Sequence, residues 1–504
     1  MPPVRPGGKS TGRAARPGGG TVRIGWSADS CRLPTTTRRT TVSTTHSPSL
    51  TGKLPVAALG LLALALGTLQ TVVDPALPLL QRELDVGPGD GALVSNAVLV
   101  TGAAVAPIAG KLGDCHGGKR VLLRLMVLVA AGGLLAGVAP NLPVLLLGQI
   151  LQGFMVGALP LSFVLVRKHL PGDASRLGIG VVMALFTSGA MVGTLTAGPI
   201  ADALSWHWMF ALPTIVIIAM SLAVAWLMPD DPPARSRPRI DWPGALLLSG
   251  ALLVFMVGLV RLTGDGLSAP AAGALLVLVV GLVTAWVTVE RRTAEPMVDL
   301  RVLARPAVWH ACVLTFVITA GFGIVAFLLP QMFALPAEGH GFGFDTTDIG
   351  LLLLPGAVAG AVSDSIGGVA GRRFGLRAVI TAGAVGTVVT LLTLMAAHGA
   401  PWQLVVAKAS VAVAAGMATT ALLISAAGAV AEEDTGVITS LLVVTRVIGI
   451  ALGAQTGGAI LEAGAEAATG LPSETAFVTA LGVAAAVAAV SLVLTRLTMR
   501  GARA

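Results

Sequence analysis

Leu54-Pro-Val-Ala-Ala-Leu-Gly-Leu-Leu-Ala-Leu-Ala-Leu-Gly-Thr-Leu-Gln-Thr-Val-Val-Asp74-Pro-Ala-Leu-Pro-Leu-Leu80 carries one charge in twenty-seven residues. A helix needs about 20 apolar residues to cross ~30 Å of hydrocarbon, so this stretch predicts a membrane span. Thirteen similar runs follow, near 92–112, 121–139, 142–166, 177–203, 206–228, 242–263, 269–289, 307–334, 348–366, 377–397, 402–430, 436–461 and 475–495. The expected fold is therefore an all-α polytopic membrane protein with 14 transmembrane helices. Composition agrees: mean hydropathy is +0.86 and only 12% of residues are charged. Glycine, 63 of 504 residues, suits close helix approach within lipid. Trp206, Trp208, Trp226, Trp242, Trp286, Trp309 and Trp402 fall near predicted span ends, as an interfacial aromatic belt does.

Charge sets the expected orientation. If the spans alternate, 29 of the 33 Lys and Arg fall on one side. They include Lys119, Arg120, Arg167, Arg291, Arg372, Arg373 and Arg496, whereas Arg82 and Arg261 stand alone among the acids of the opposite loops. The positive-inside rule then places both termini in the cytoplasm of a bacterial cell membrane, which an even span number also requires. The net charge of +8 says little about nucleic acid, because residues 1–53 hold nine basic residues and one acid, Asp29, which supply all of it. That Pro/Gly/Ser/Thr-rich stretch reads as a disordered cytoplasmic tail. Weak attraction to anionic lipid and a start codon assigned too far upstream are both open readings of it. It does not read as a cleaved signal.

Several classes find no support. Gly8-Lys9-Ser10 ends like a phosphate loop, but Pro3 occupies the place of the first glycine and no strand precedes it, so ATP is not an expected partner. Cys31, Cys115 and Cys312 show no paired spacing, and the seven histidines are scattered. No metal site, cofactor or nucleophile–base pair is expected, and the chain does not read as an enzyme.

Two loops repeat. Gly110-Lys-Leu-Gly-Asp114-Cys-His-Gly117-Gly-Lys119-Arg120 and Gly368-Val-Ala-Gly-Arg372-Arg373-Phe-Gly375-Leu-Arg377 share their glycine spacing at an offset of 258 residues. Weak similarity at matching places marks duplicated transporter halves. The halves are then 54–228 and 307–496, with an inserted pair of spans and its linkers at 229–306 and a short cytoplasmic end at 497–504.

The first of these loops resembles the signature of the major facilitator superfamily, GxLaDrxGrk, at Gly110, Leu112, Asp114, Gly117 and Lys119. Other segments resemble its 14-span drug:proton antiporter branch: Pro75-Ala-Leu-Pro78, Leu151-Gln152-Gly153, Ser205-Trp206-His-Trp208-Met-Phe210, Gly350-Leu-Leu-Leu-Leu-Pro355 and Arg446-Val-Ile-Gly449. The resemblance implies alternating access of two six-helix bundles (6 + 2 + 6 helices) around a midplane site, driven by protons. Three departures stand out. Gln149 occupies the place of a motif arginine, Leu69 that of a span-1 aspartate, and Gly193-Thr194-Leu-Thr-Ala197-Gly198 lacks the proline and one glycine of the span-5 motif. Export of small amphipathic compounds by proton antiport is the expected function. A uniporter or importer, and a membrane sensor that keeps the fold, are the alternatives.

Asp74 is the most informative residue. A carboxylate within a span costs several kcal/mol unless paired, hydrated or protonated, so either it exchanges a proton for a substrate or it is a wetted residue of a tilted span. Gln70, Gln149, Lys408 and Arg446 complete the candidates for coupling or substrate contact. Lys408 reads first as snorkelling outward along its stem. Arg446 is open to an acid, an anionic ligand or backbone carbonyls. Asp364 is expected to pair with Arg372 or Arg373. Gly110, Asp114, Gly117, Lys119, Arg120, Arg372 and Arg373 are expected to gate the cytoplasmic side. Gly189, Gly193 and Gly198 are expected to pack the halves together, and the cavity is expected to be apolar with one acid.

Overall fold

The computed structural model describes residues 50–170, 172–230, 241–263, 269–293, 300–303, 305–336, 340–428, 435–466 and 470–498, all of it helical apart from short connections. The basic tail, most of the two polar linkers and the last six residues lie outside the described residues. Among the described residues, eleven helical stretches are long and apolar enough to cross a membrane.

The N-terminal half comprises α1 (Leu50–Thr71), α2 (Val73–Leu84), α3 (Pro88–His116), α4 (Gly118–Ala136), α5 (Leu142–Gln152), α6 (Ala158–His169), α7 (Gly172–Ala203) and α8 (Trp206–Leu227). The first predicted span is thus two helices, α1 and α2. Pro75 has no N–H to give the Thr71 carbonyl, so the hydrogen-bond ladder lapses there. The fourth span is also interrupted, by a 3-10 turn over Gly153–Gly157 between α5 and α6. Of the three expected spans that are not among the eleven, α4 opens with Lys119, Arg120 and Arg124, which dilute its apolar length.

The two inserted helices are α9 (Trp242–Thr263) and α10 (Ala269–Arg292), followed by the single turn α11 (Leu300–Leu303). α9 packs on α3 and α16, and α10 packs on α9. The apolar face of α10 is uncovered by protein, with Leu276 and Val277 more than half exposed. In a bilayer such a face meets lipid. The C-terminal half comprises α12 (Pro306–Ala334), α13 (Thr346–Phe374), α14 (Leu376–Ala396), α15 (Pro401–Gly428), α16 (Thr435–Ala463) and α17 (Glu474–Thr498).

Duplication is visible in the backbone. Gly117 (φ 90°) alone separates α3 from α4, and Gly375 (φ 82°), 258 residues on, alone separates α13 from α14. Both combine a positive φ with an extended ψ, of 129° and 141°, a region almost confined to glycine that costs a side chain on the order of 1–3 kcal/mol. Pairings repeat as well: α1 packs on α7 as α12 packs on α16, and α13 packs on α15 as α3 packs on α5 and the 3-10 turn. The halves meet where α3 packs on α16 and α7 on α13.

The glycines of α7 divide their work differently from expectation. A methyl at Gly189 would overlap the Leu64 carbonyl, and one at Gly193 the Thr68 carbonyl, so both bring α7 onto α1 within one half. Gly198 alone of the three meets the other half, against Thr347 of α13. Thr68 Oγ1 donates to the Gly189 carbonyl at 3.0 Å and Thr71 Oγ1 to that of Ala190 at 2.6 Å, lacing the same seam.

Lys119 is buried. Its Nζ donates to the Met228 carbonyl at 2.6 Å and to Asp230 Oδ1 at 3.0 Å, which ties the start of α4 to the end of α8 inside the N-terminal half. That ammonium holds the Asp230 carboxyl below its usual value of 3.8. Arg120, Arg372 and Arg373 are exposed, and Arg373 lies over the Phe374 ring at 5.5 Å. The side chains of Gly110 and Asp114 lie outside the described residues.

Two outcomes test this packing. Gly189→Val should lower stability by about 1–3 kcal/mol, the usual cost of overfilling a tight contact, read as an earlier thermal midpoint in detergent; Gly250→Ala, which meets nothing within 4 Å, should not. Lys119→Met should lower the midpoint more than Asp230→Asn, because the lysine is buried and the carboxylate is 71% exposed. Since Asp230 is more acidic folded than unfolded, its share is present at neutral pH. That share fades only as pH falls below 3.8 and through the lowered value.

Candidate functional site: a central cavity between the halves

A cavity of about 980 Å³ lies between the halves, walled by α1, α2, α3, α5 and α7 on one side and α12, α13, α15 and α16 on the other. That volume is at the upper end of the ~300–1,000 Å³ range of small-molecule sites. Its wall is mostly apolar, from residues such as Leu77, Val98, Met191, Phe322 and Phe327.

All five residues singled out for coupling or substrate contact line it: Gln70, Asp74, Gln149, Lys408 and Arg446. Asp74 is in the first turn of α2, directly after the break that Pro75 imposes, with its side chain exposed to the cavity although the bundle encloses it. Val72, at the joint, keeps right-handed helical angles and its N–H still donates to the Thr68 carbonyl at 3.2 Å, so the span runs on through the lapse and carries an acid beside it. Gln149 is buried, and its Nε2 has no partner among the described residues. Gln152, three residues on, instead donates to the Gly132 carbonyl at 3.4 Å, a structural bond between α5 and α4.

Two expectations are corrected on the other wall. Lys408 does not snorkel outward. Gly356 of α13 leaves a groove for its stem, and an added methyl there would come within 2.6 Å of Lys408 Cγ. Asp364 does not pair with Arg372 or Arg373; its Oδ2 accepts from Arg446 at 3.3 Å. Both partners are partly exposed to the cavity, at 40% and 38%. Asp364 Oδ1 is buried without a hydrogen-bond partner among the described residues, beside Gly416, where a side chain would collide with it. The cavity thus holds Asp74, Asp364, Lys408 and Arg446, two acids and two bases, and not the single acid expected.

Sequence reasoning missed Asp364 as a wall residue because its position near the basic arginines suggested a local pair. Hydrogen bonds tie the two halves. Asn96 Nδ2 donates to the Ala451 carbonyl at 2.9 Å and to Gln455 Oε1 at 3.2 Å, while Gln455 Nε2 donates to the Gly89 carbonyl at 3.1 Å. Glu462 Oε2 accepts from Gly89 N at 3.1 Å, capping α3 from the opposite half. Arg82 donates to the Ala334 carbonyl at 3.3 Å, and Thr347 to Asp202 at 3.0 Å. These bonds cluster at the end away from the basic loops. The cavity lining reaches the other way, to Gly180 near the start of α7 and Ser365 in the last third of α13.

Residues 59–332, more than half the chain, match the Major Facilitator Superfamily. An uncharacterized MFS-type transporter of Mycobacterium tuberculosis is 30% identical over 418 residues, 80% of this chain and 58% of that protein. A lincomycin resistance protein of Streptomyces lincolnensis is 31% identical over 243 residues, 48% of this chain and 50% of that one. The chain thus spans between half and three-fifths of the length of these relatives. A crystal structure of a mutant form of the nucleoside transporter NupG superposes with a TM-score of 0.64 at 14% identity, covering 89% of this chain and 100% of that one, and so shares the fold. Signature loop, duplicated halves, central cavity and matched residues agree: the chain is a multi-span membrane protein belonging to the major facilitator superfamily.

Proposed function

We propose that this protein exports small amphipathic organic compounds by alternating access of its two halves, driven by inward proton movement, with fourteen helices crossing the membrane as 6 + 2 + 6. The observation that carries the reading is the cavity itself: largely apolar, of small-molecule size, set between duplicated halves, with an acid from the broken first span on its wall. The likeness to a lincomycin resistance protein supports the export of a drug-like compound. With the basic loops in the cytoplasm, the bonded end faces outward and the cavity reaches inward, the arrangement of a state ready to take substrate from inside.

Asp74 is the coupling residue of this scheme. A carboxylate in an enclosed site holds a proton while that site is dry and releases it when water or a cation replaces it. Proton and substrate then compete for one position, which is what antiport requires. Gln70 and Gln149 orient the substrate, and the glycine-linked loops at Gly117 and Gly375, with Lys119, Arg120, Arg372 and Arg373, govern the cytoplasmic side. A second reading, a uniporter or importer of a small metabolite, is favoured by the missing proline and glycine of the span-5 segment Gly193–Gly198.

In proteoliposomes, an imposed pH gradient should drive solute movement by the intact protein. Asp74→Asn should remove at least nine-tenths of the gradient-driven rate while downhill exchange persists; a variant that keeps its gradient response takes Asp74 out of the mechanism. Gln149→Leu should raise the half-saturating solute concentration several-fold with the maximal rate little changed, measured in the same vesicles.

A further inference from the structure

Four charges line the cavity, and two of them are mated. Asp364 and Arg446 meet at 3.3 Å. Asp74, from the N-terminal half, and Lys408, from the C-terminal half, line the same cavity. Neither joins an ion pair among the described residues. Their positions are built. Asp74 is fixed by the start of α2 after the lapse at Pro75. The Lys408 stem is laid along α13 by Gly356, where an added methyl would come within 3.3 Å of Cβ and Cδ and 2.6 Å of Cγ. These are the near atoms of the stem, not its free end, so the groove directs the ammonium into the cavity.

An unmated charge inside a bundle leaves several kcal/mol unrecovered unless water or a ligand meets it. A ligand that is only cationic satisfies Asp74 and is repelled by Lys408. One that is only anionic does the reverse. A ligand carrying both signs satisfies both, and each mismatch acts as a specificity device. Resting on the transport reading of the same cavity, we propose that Lys408 and Asp74 together select an amphipathic zwitterion, its anionic group against Lys408 and its ammonium against Asp74.

The test is equilibrium binding to the full-length protein in lipid nanodiscs, with three labelled forms of one naphthyl-piperazine carboxylic acid. These are the free zwitterion, its methyl ester (a cation) and its N-acetyl derivative (an anion). The zwitterion should bind at least tenfold more tightly than either. Lys408→Met should erase its advantage over the ester and keep that over the N-acetyl form. Asp74→Asn should do the opposite, and Lys408→Arg should keep both. Gly356→Ala, which crowds the lysine stem without removing a charge, should weaken the zwitterion at least threefold and spare the ester. Equal binding of the three forms, binding of none, or unchanged ratios in Lys408→Met would each overturn the proposal. Equilibrium binding needs no gradient, so a protein that selects the zwitterion and moves nothing in vesicles sinks the transport reading alone. Proton-driven movement of a solute without this selectivity sinks this inference alone.

Discussion

A charge carried into a bilayer has to find water or an opposite charge, and that requirement organises this protein. The charged residues deep in the spans, Asp74, Asp364, Lys408 and Arg446, all reach the same central cavity, although they come from four different helices in two halves. The outer faces of the bundle bear the complementary pattern, as on α10, where Leu276, Val277, Leu278, Val280 and Val283 are exposed. The charged side chains of the spans are gathered at the cavity, while the packed core and the outer faces are both mainly apolar. The cavity is where the residues that lipid does not tolerate are collected.

Keeping them there depends on backbones that approach closely. Association within lipid gains little from the hydrophobic effect, so van der Waals contact between helices supplies most of it. The two seams that build the halves, α1 with α7 and α12 with α16, are made the same way. Gly189 and Gly193 meet the carbonyls of Leu64 and Thr68, and Gly323 and Gly453 meet those of Ile450 and Ala320. The same economy shapes the site: Gly356 admits the lysine stem and Gly416 admits the Asp364 carboxylate. The abundance of glycine, costly in a soluble helix, follows from this.

Spans, halves and the broken first helix are legible in the amino-acid order because each depends on a local property. An apolar run, a repeated Gly spacing and an Asp-Pro pair are all contiguous. Side-chain pairing is not. Nothing adjacent to Asp364 announces Arg446, 82 residues away, and the nearer Arg372 and Arg373 offer a more obvious partner that points elsewhere. Lys408 misleads for a related reason: its stem length permits either direction, and the choice is made by Gly356 on another helix. The glycines of α7 were readable as contacts but not as contacts with a particular neighbour. In each case the missing information is which helix lies opposite, a property of tertiary packing.

The contacts between the halves are built of weak interactions, and that suits the alternating access proposed above. Asn96 and Gln455 are almost wholly buried where α3 meets α16, yet an interhelical hydrogen bond of this kind contributes only about 0.6 kcal/mol on average. Parting them exposes amides to water that bonds them nearly as well. Glu462 caps α3 through the Gly89 N–H, and that N–H also finds water when the halves separate. Gly458, against Pro88 and Ala92, adds contact without interlocking side chains. A buried ion pair at the same place would resist separation by several kcal/mol, because each charge would be left without its partner. The structure keeps its Asp364–Arg446 ion pair, partly exposed to the cavity, within one half and joins the halves with bonds that water can replace.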